Sequence, residues 1–220
     1  MKLPKAISHG ARLADIDEPL AAFVAEASRL GPKLGPLLVQ LPPNLAFDPP
    51  VASAFFDRLR FLFSGAVACE PRHVSWFEAD ADALLTAHQV ARVAADPARH
   101  PMASAPGGWP DLAYWRMHGS PRMYYSPYEA ERLQALATAI RRSEAADTWC
   151  IFDNTASGAA AADVLALQAL LYDGRGDRSQ RLSSRPERSG EPGPPGPSST
   201  KKREVPARAA RVRDDNVIDS

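Results

Sequence analysis

Carboxylate, arginine and histidine side chains recur directly behind short apolar runs of this sequence. These residue types are suited to proton transfer on a polar substrate. The clearest example is CEPRHVSW, residues 69–76, which follows the run GAVA. Glu70 and Arg72 stand two residues apart, so on a strand both side chains project to the same side. Such a pair can hold the carboxylate ionised and orient the guanidinium toward an anion. The alternative is a structural ion pair between strand ends.

Arg116 and His118 repeat this spacing, and Gly119 then allows the backbone to turn sharply. His73 and His118 follow different apolar runs and could converge as proton donors and acceptors, although a single histidine on a strand is often structural. Zinc or manganese is the weaker hypothesis, because no His-x-x-x-His pair or carboxylate-rich ligand set is present. The sequence contains no nucleophile elbow, Walker loop or dinucleotide fingerprint, so it names no cofactor.

Asp153 and Asn154 end a further apolar run and precede a predicted helix that opens through Ser157 and Gly158. A helix start with small residues and free N–H groups is either an anion site or simply a well-capped helix. Trp76 is either an aromatic wall of the site or a packing residue.

Together these residues give a predicted site. The predicted catalytic residues are His73, His118, Glu70 and Asp153, and the predicted substrate-binding residues are Arg72, Arg116, Asn154, Gln40, Trp76 and Asp96. The corresponding function is an enzyme that applies acid–base chemistry to a small polar or anionic substrate. The alternatives are a non-catalytic protein that binds a small ligand, a nucleotide or single-stranded nucleic acid, and a truncated chain without function.

The elements that must position these residues alternate between short apolar runs and amphipathic stretches, which is typical of βα units with a parallel sheet. Strands are predicted at 37–41, 65–72, 90–96, 112–119 and 148–154, with a strand remnant at 1–4. Helices are predicted at 17–30, with Asp17 as N-cap, and at 51–59, 80–88, 127–143 and 159–171. A proline- and glycine-rich loop replaces the helix expected after residue 96. The candidate site residues then fall at the carboxyl ends of strands, where parallel α/β folds bind ligands.

Composition narrows the class of protein. The chain has 220 residues, of which 45% are hydrophobic and 24% charged, with a formal net charge of zero. Residues 173–220 carry a formal net charge of +3 (11 Lys/Arg, 8 Asp/Glu) and residues 1–172 one of −3 (15 Lys/Arg, 18 Asp/Glu), and neither balance is typical of a protein that binds an extended nucleic acid. No apolar run is long enough to span a membrane. Cys69 and Cys150 lie in or beside apolar runs and are expected to be buried thiols. The first residues lack the apolar core of a secretory signal, so a cytoplasmic location is expected. The sequence does not indicate an oligomeric state.

The apolar periodicity stops near Gly174. The segment 173–220 is rich in Gly, Pro, Ser and Arg and offers little to bury, so we predict a disordered low-complexity tail behind a folded domain at 1–172.

The strand-end motifs resemble those of the YecE-like family, domain of unknown function 72. The resemblance covers about residues 1–172 and rests on KLPKAISH, LGPLLVQLPP, CEPRHVSWF, VARVAADPARHP, AYWRMHGSPRMYYSPY and WCIFDNTASGAA, in that order. It implies a TIM-barrel-like (β/α) fold whose polar residues line one end, and it implies no established activity.

The chain departs from the family pattern at its front. Family members begin with a Gly-x-x-Gly-Trp strand and then a strand carrying Glu-x-Asn-x-Thr-Phe-Tyr, and neither motif occurs here. Because KLPKAISH resembles the third strand of the family, we expect a barrel that lacks its first two strands. A late start codon or a true truncation would explain this; completion by a partner chain is the remaining alternative.

Overall fold

The structure is a computed structural model that describes residues 1–183. Its strands are β1 (Leu37–Gln40), β2 (Val67–Glu70), β3 (Val90–Arg92), β4 (Ala94–Asp96), β5 (Gly107–Gly108), β6 (Leu112–Met117) and β7 (Asp147–Phe152). Its helices are α1 (Asp17–Ser28), α2 (Pro49–Leu62), α3 (Ala79–Ala87), α4 (Ala130–Arg142) and α5 (Ala159–Ser183). The expected alternation of strands and helices is therefore confirmed.

The strands form two sheets, in the orders β1-β2-β3-β5 and β4-β6-β7. All neighbours are parallel except β5, which runs antiparallel to β3. The predicted strand remnant at the start of the chain is a single parallel bridge between Lys2 and Leu38. These strands do not close into a barrel within residues 1–183, so the structure establishes a mixed α/β fold.

The apolar run 90–96, predicted as one strand, is divided at Val93. The backbone N–H of Val93 donates to Cys69 O of β2 at 2.8 Å, whereas Ala94 already pairs with Trp115 of β6. The chain thus passes from one sheet to the other at this residue. Parallel strands on both sides of the break consequently end at the same edge, which we call the carboxyl edge; the opposite edge is the amino edge.

Side chains of the strands alternate between two apolar layers, as the twofold period of a strand requires. Leu37, Val39, Val67 and Cys69 belong to the core that packs against the helices, whereas Leu38 and Ala68 belong to an inner cluster with Val93, Tyr114 and Ile151. Both cysteines are buried and free, as expected. The inner cluster is the surface that leads to the candidate site.

Several predicted helix boundaries change. Asp17 is not an N-cap but the first residue of α1, after Ile16, and its predicted capping role is wrong. In α2 the capping is done by Asp48, whose side chain accepts from Val51 N at 3.3 Å. α5 extends to Ser183, past the predicted end at Leu171. The rest of the predicted tail, 184–220, lies outside the described residues.

Two further features complete the architecture. The loop after β4 contains a short 3₁₀ turn, Pro101–Ser104, where no helix was predicted. Among residues 1–183, no helix is both long enough and apolar enough to cross a bilayer.

Candidate functional site

The candidate site lies next to the inner cluster, at the carboxyl edge of the same strands. Leu38, Ala68, Tyr114 and Ile151 lie in the inner cluster. Two positions further along each strand stand Gln40, Glu70, Arg116 and Asp153, which therefore share the inner side at the carboxyl edge. The alternation that builds the inner cluster thus also delivers polar side chains from separate strands to one place.

Glu70 is the centre of this arrangement and is only 3% exposed. Its Oε1 accepts from Gln40 Nε2 at 3.2 Å and from Arg72 at 3.3 Å (Nε) and 3.1 Å (Nη2). Its Oε2 accepts from Arg116 Nη1 at 2.5 Å. A buried carboxylate needs such compensation, because desolvation of an unpaired charge is costly.

Arg116 extends the network across the sheet. Its Nη2 donates to Asp153 Oδ2 at 2.6 Å, so one guanidinium joins carboxylates from β2 and from the end of β7. His118 Nδ1 also donates to Asp153 Oδ2, at 2.8 Å. Asp153 Oδ1 lies 2.7 Å from the same nitrogen, but it is buried without a hydrogen-bond partner. We call Gln40, Glu70, Arg72, Arg116, His118 and Asp153 the carboxyl-edge network.

The charges in the network stabilise one another. Burial raises the pKa of Glu70, but the attraction of Arg116 and Arg72 outweighs it and holds this pKa below its usual value. Burial lowers the pKa of Arg116, but Glu70 and Asp153 reverse the effect and hold it above the ordinary arginine value. Glu70 is therefore ionised at neutral pH, and Arg116 is permanently charged.

His118 has the surroundings of a proton-transfer residue. It is 3% exposed, and Asp153 engages its Nδ1. Among residues 1–172, no hydrogen bond engages Nε2. A carboxylate on one ring nitrogen fixes the tautomer and orientation of the ring, and leaves the other nitrogen for a substrate.

An aromatic side chain lies beside His118 at the mouth of the site. The ring of Tyr124 meets the imidazole edge to face, with centroids 5.9 Å apart, and Tyr124 is 45% exposed. The backbone N–H of Tyr124 also donates to His118 O at 2.5 Å. At φ +67°, Tyr124 adopts a left-handed conformation that bulky residues rarely take, which is a feature of functional loops.

Asn154 is fully buried and lies outside the network. Its Nδ2 donates to Ser126 O at 2.9 Å and to Asp163 Oδ2 of α5 at 2.7 Å. Asp163 also accepts from the backbone N–H of Tyr128. Asn154 therefore fixes the loop 119–128, which carries Tyr124, to the start of α5. Its Oδ1 is buried without a partner.

His73, Trp76 and Asp96, also predicted as site residues, make separate contacts. His73 caps a 3₁₀ turn, since its Nδ1 accepts from Ser75 N at 3.3 Å. Trp76 is buried, donates to Leu45 O at 3.0 Å and packs edge to face on Phe47, as expected of a packing residue. The Asp96 carboxylate accepts from Arg132 Nε of α4 at 2.6 Å. In the described residues, no hydrogen bond or ring contact joins His73 to His118.

His9 was not among the predicted site residues. It lies in a helical turn, Ala6–Gly10, seven residues after the bridge at Lys2, and its Nδ1 lies 2.9 Å from Ser8 Oγ. Burial lowers the pKa of His9, and the charges of Arg72, Lys5 and Lys2 lower it further. The sequence predicts only a strand remnant at 1–4. This remnant is too short to show where a strand ends, so KLPKAISH did not mark His9 as a residue near a strand end.

Among the described residues, no group of three or more His, Cys, Asp and Glu side chains could hold a metal ion. Burial raises the pKa of both thiols, Cys69 and Cys150, far above the ordinary value, so neither has the character of a reactive thiolate.

The fold and the site thus define a mixed α/β protein whose inner polar network lies at the carboxyl edge of parallel strands. The sequence matches the family model "Protein of unknown function DUF72" over residues 1–188, and the chain belongs to this family. The resemblance to the YecE-like family is thereby confirmed.

The fold is also similar to solved structures of this family. One is a DUF72 family protein of Thermotoga maritima, with a TM-score of 0.61 and 25% identity over 80% of this chain and 72% of that chain. Two structures of a DUF72 family protein of Enterococcus faecalis give TM-scores of 0.66 and 0.64, with 22% and 23% identity. They cover 78% of this chain, and 73% and 77% of theirs. No curated protein matches the chain.

Proposed function

We propose that this chain carries the site of an enzyme that applies acid–base chemistry to a small polar or anionic substrate at the carboxyl edge. The observation that carries the proposal is the pairing of His118 with Asp153 inside a buried network of opposite charges. An ion pair that only joins two strands does not require a histidine. A general acid or base does require an imidazole that is oriented through one ring nitrogen and can exchange a proton through the other.

The proposed roles follow from the contacts. His118 transfers a proton through Nε2, and Asp153 orients the ring and stabilises its charged form. Arg116 has Nη1 on Glu70 and Nη2 on Asp153, so it holds the carboxylates rather than clamping a substrate. Arg72, whose side chain is 21% exposed, is the guanidinium of the network that can face a ligand.

The proposal includes a TIM-barrel-like arrangement of the strands. The bridge at Lys2, β1, β2, the β3–β4 run, β6 and β7 neighbour one another in chain order with parallel register. Sequential parallel neighbours with helices between them are the repeating unit of a (β/α) barrel. In such a barrel the carboxyl edge is where catalytic residues gather.

The test begins with a thermal-shift screen of small polar and anionic metabolites on the full chain. A ligand at one hundred times its Kd should add about 2.7 kcal/mol of stability. Turnover of each stabilising ligand is then followed by NMR in the wild-type protein and in His118→Asn and Asp153→Asn variants. We expect each variant to lose about a hundredfold in kcat, the usual contribution of a positioned acid or base.

A matched control exists at the amino edge, where His88 Nε2 lies 3.2 Å from Asp57 Oδ1. His88→Asn removes a histidine paired with an aspartate but should leave kcat unchanged. Full activity in His118→Asn would contradict the assignment. A stabilising ligand that the wild-type protein binds but never converts would favour the non-catalytic binding protein instead.

A further inference from the structure

The loop 119–128 presents an aromatic ring to solvent directly beside the proposed proton-transfer residue. Tyr124 is 45% exposed, whereas His118, whose imidazole meets the tyrosine ring edge to face with centroids 5.9 Å apart, is 3% exposed. The ring therefore borders the imidazole on one side and solvent on another. A ligand that reaches His118 along this loop contacts the Tyr124 ring.

The backbone of Tyr124 does not require this side chain. At φ +67° the residue lies in the left-handed region, which glycine adopts freely and bulky residues rarely take. The contacts that fix the loop here are made by the main chain: the N–H of Tyr124 donates to His118 O, and its carbonyl accepts from Ala156 N at 3.0 Å. A glycine would make both hydrogen bonds without strain. The aromatic ring therefore needs a reason other than the conformation of the loop.

The loop is fixed relative to both members of the proton-transfer pair. Asn154, which follows Asp153 in the chain, is fully buried and donates from Nδ2 to Ser126 O of the loop at 2.9 Å. The main-chain hydrogen bond between Tyr124 and His118 fixes the loop to the other member of the pair. The tyrosine ring is thus held in a set position beside the imidazole, as the wall of a preformed binding site requires.

The neighbouring Tyr125 is exposed to a similar degree, 43%, but its surroundings differ. The guanidinium of Arg122 lies 3.8 Å from the centroid of the Tyr125 ring and covers one of its faces. Among residues 1–172, no cation lies over the Tyr124 ring, whose ring contact is with His118. An exposed aromatic ring beside a buried polar group suits a flat ligand, because the ring stacks on the ligand and the polar group fixes its orientation.

We propose that Tyr124 binds a planar unsaturated ring of the substrate and thereby holds a polar group of that ring against His118. The inference deepens the proposed function and rests on it: the substrate class becomes small polar or anionic compounds that contain an aromatic or heteroaromatic ring. A saturated compound of the same size and charge buries a similar apolar area but lacks the stacking interaction. Tyr124 is therefore the residue that selects for planarity.

The experiment is isothermal titration of benzoate and of cyclohexanecarboxylate into the full 220-residue chain. The two probes carry the same carboxylate on rings of similar size, but only benzoate is planar and aromatic. We expect benzoate to bind the wild-type protein more tightly. Tyr124→Leu should weaken benzoate binding by about tenfold, the usual effect of losing an aromatic stacking partner, and should change cyclohexanecarboxylate binding little. Tyr124→Phe keeps the ring and should retain the affinity.

Two further variants separate the role of the ring from folding. Tyr124→Gly suits the left-handed backbone, so it should fold, as thermal unfolding verifies, and should still bind benzoate as weakly as Tyr124→Leu. Phe61→Leu is the matched control, because it removes an 80% exposed ring near the end of α2, and it should bind benzoate as the wild-type protein does. Nuclear Overhauser effects between benzoate and the His118 ring protons should locate the probe beside the imidazole.

The inference is overturned if the wild-type protein does not bind benzoate, if it binds both probes equally, or if Tyr124→Leu and Tyr124→Gly bind benzoate as Phe61→Leu does. If these variants bind normally while His118→Asn loses turnover, the ring-binding role is wrong and the proposed function stands. If they lose benzoate affinity while His118→Asn and Asp153→Asn keep full turnover, the proposed function fails and the ring site stands.

Discussion

The two edges of the sheet each hold an arginine that joins several elements, but the acceptors differ. At the amino edge, Arg60 of α2 donates to the backbone carbonyls of His88 at 2.7 Å, Gly65 at 2.7 Å and Gln89 at 2.6 Å. At the carboxyl edge, Arg116 donates to the carboxylates of Glu70 and Asp153. One guanidinium meets dipoles, and the other meets full charges.

This difference reverses the effect of burial on the two arginines. Burial lowers the pKa of Arg60, and no carboxylate offsets it. Burial also acts to lower the pKa of Arg116, but Glu70 and Asp153 raise it above the ordinary value. At the amino edge, Arg60 therefore joins α2 to the segments before β2 and β3 through uncharged backbone acceptors. At the carboxyl edge, Arg116 joins β2 to the end of β7 through carboxylates.

The buried opposite charges at the carboxyl edge are what the proposed function requires, and the amino edge has no counterpart of them among the contacts of Arg60. In parallel α/β folds, the amino edge contributes to stability and the carboxyl edge contributes ligand sites. Joining strand ends needs only neutral acceptors, as Arg60 demonstrates. The presence of Glu70, Asp153 and His118 around Arg116 therefore exceeds what the sheet requires.

The largest effect should come from replacing Arg116 by methionine. The variant removes the guanidinium that contacts both Glu70, which is 3% exposed, and Asp153. Removal of one partner of a buried ion pair costs about 3–5 kcal/mol. Urea unfolding measures the free energy of unfolding. A loss below about 1 kcal/mol would mean that the charges are well solvated and that the contrast between the edges is wrong.

The double variant Arg116→Met with Glu70→Leu is the control for this prediction. It removes Arg116 together with Glu70, the more buried of its two carboxylates, and apolar replacement of a buried ion pair is often neutral. Asp153 keeps its contact with His118, and Arg72, whose side chain is 21% exposed, can be solvated. We expect it to be more stable than Arg116→Met alone. If it is less stable, packing rather than charge explains the loss.

A smaller effect is expected from Arg60→Met at the amino edge. The carbonyls of His88, Gly65 and Gln89 lose a charged donor, but no buried charge remains, so the loss should be about 2 kcal/mol. The same urea experiment measures it beside Arg116→Met. Equal losses for the two variants would remove the distinction between the edges.

The sequence placed the residues of the carboxyl-edge network at one edge because each position can be inferred from the short segment around that residue. Glu70, Arg116 and Asp153 each follow a short apolar run with turn residues behind it, and the parallel arrangement then brings the strand ends together. The twofold period also indicates which of them share a side. No long-range contact had to be known to place these residues at one edge.

Other features depend on which of several possible hydrogen bonds or strand pairings forms, and the sequence does not show this. His73 stands beside the network in sequence, yet a local hydrogen bond with Ser75 N makes it the cap of a turn. The run 90–96 is uniformly suited to a strand, and only the pairing of Val93 with β2 and of Ala94 with β6 divides it. His9 follows a single bridge rather than a strand.

The smallest effect concerns the pH dependence of stability. The folded pKa of Glu70 lies below the ordinary value because Arg116 and Arg72 outweigh burial. Its contribution to stability is therefore fully present above the pKa of an unfolded glutamate, about 4.3, and is lost as the pH falls through the lower folded value. Glu70→Gln keeps an acceptor for Arg116 and Arg72, and Arg116 keeps Asp153, so the loss at neutral pH should be about 1 kcal/mol.

The informative measurement is the free energy of unfolding of the wild-type protein and of Glu70→Gln from pH 7 to pH 3. The difference between them should be largest at neutral pH and should shrink as the solution becomes acidic, because protonated Glu70 no longer attracts the arginines. If the difference instead grows toward low pH, Glu70 is destabilised as a carboxylate, and the arginines at the carboxyl edge do not compensate its burial.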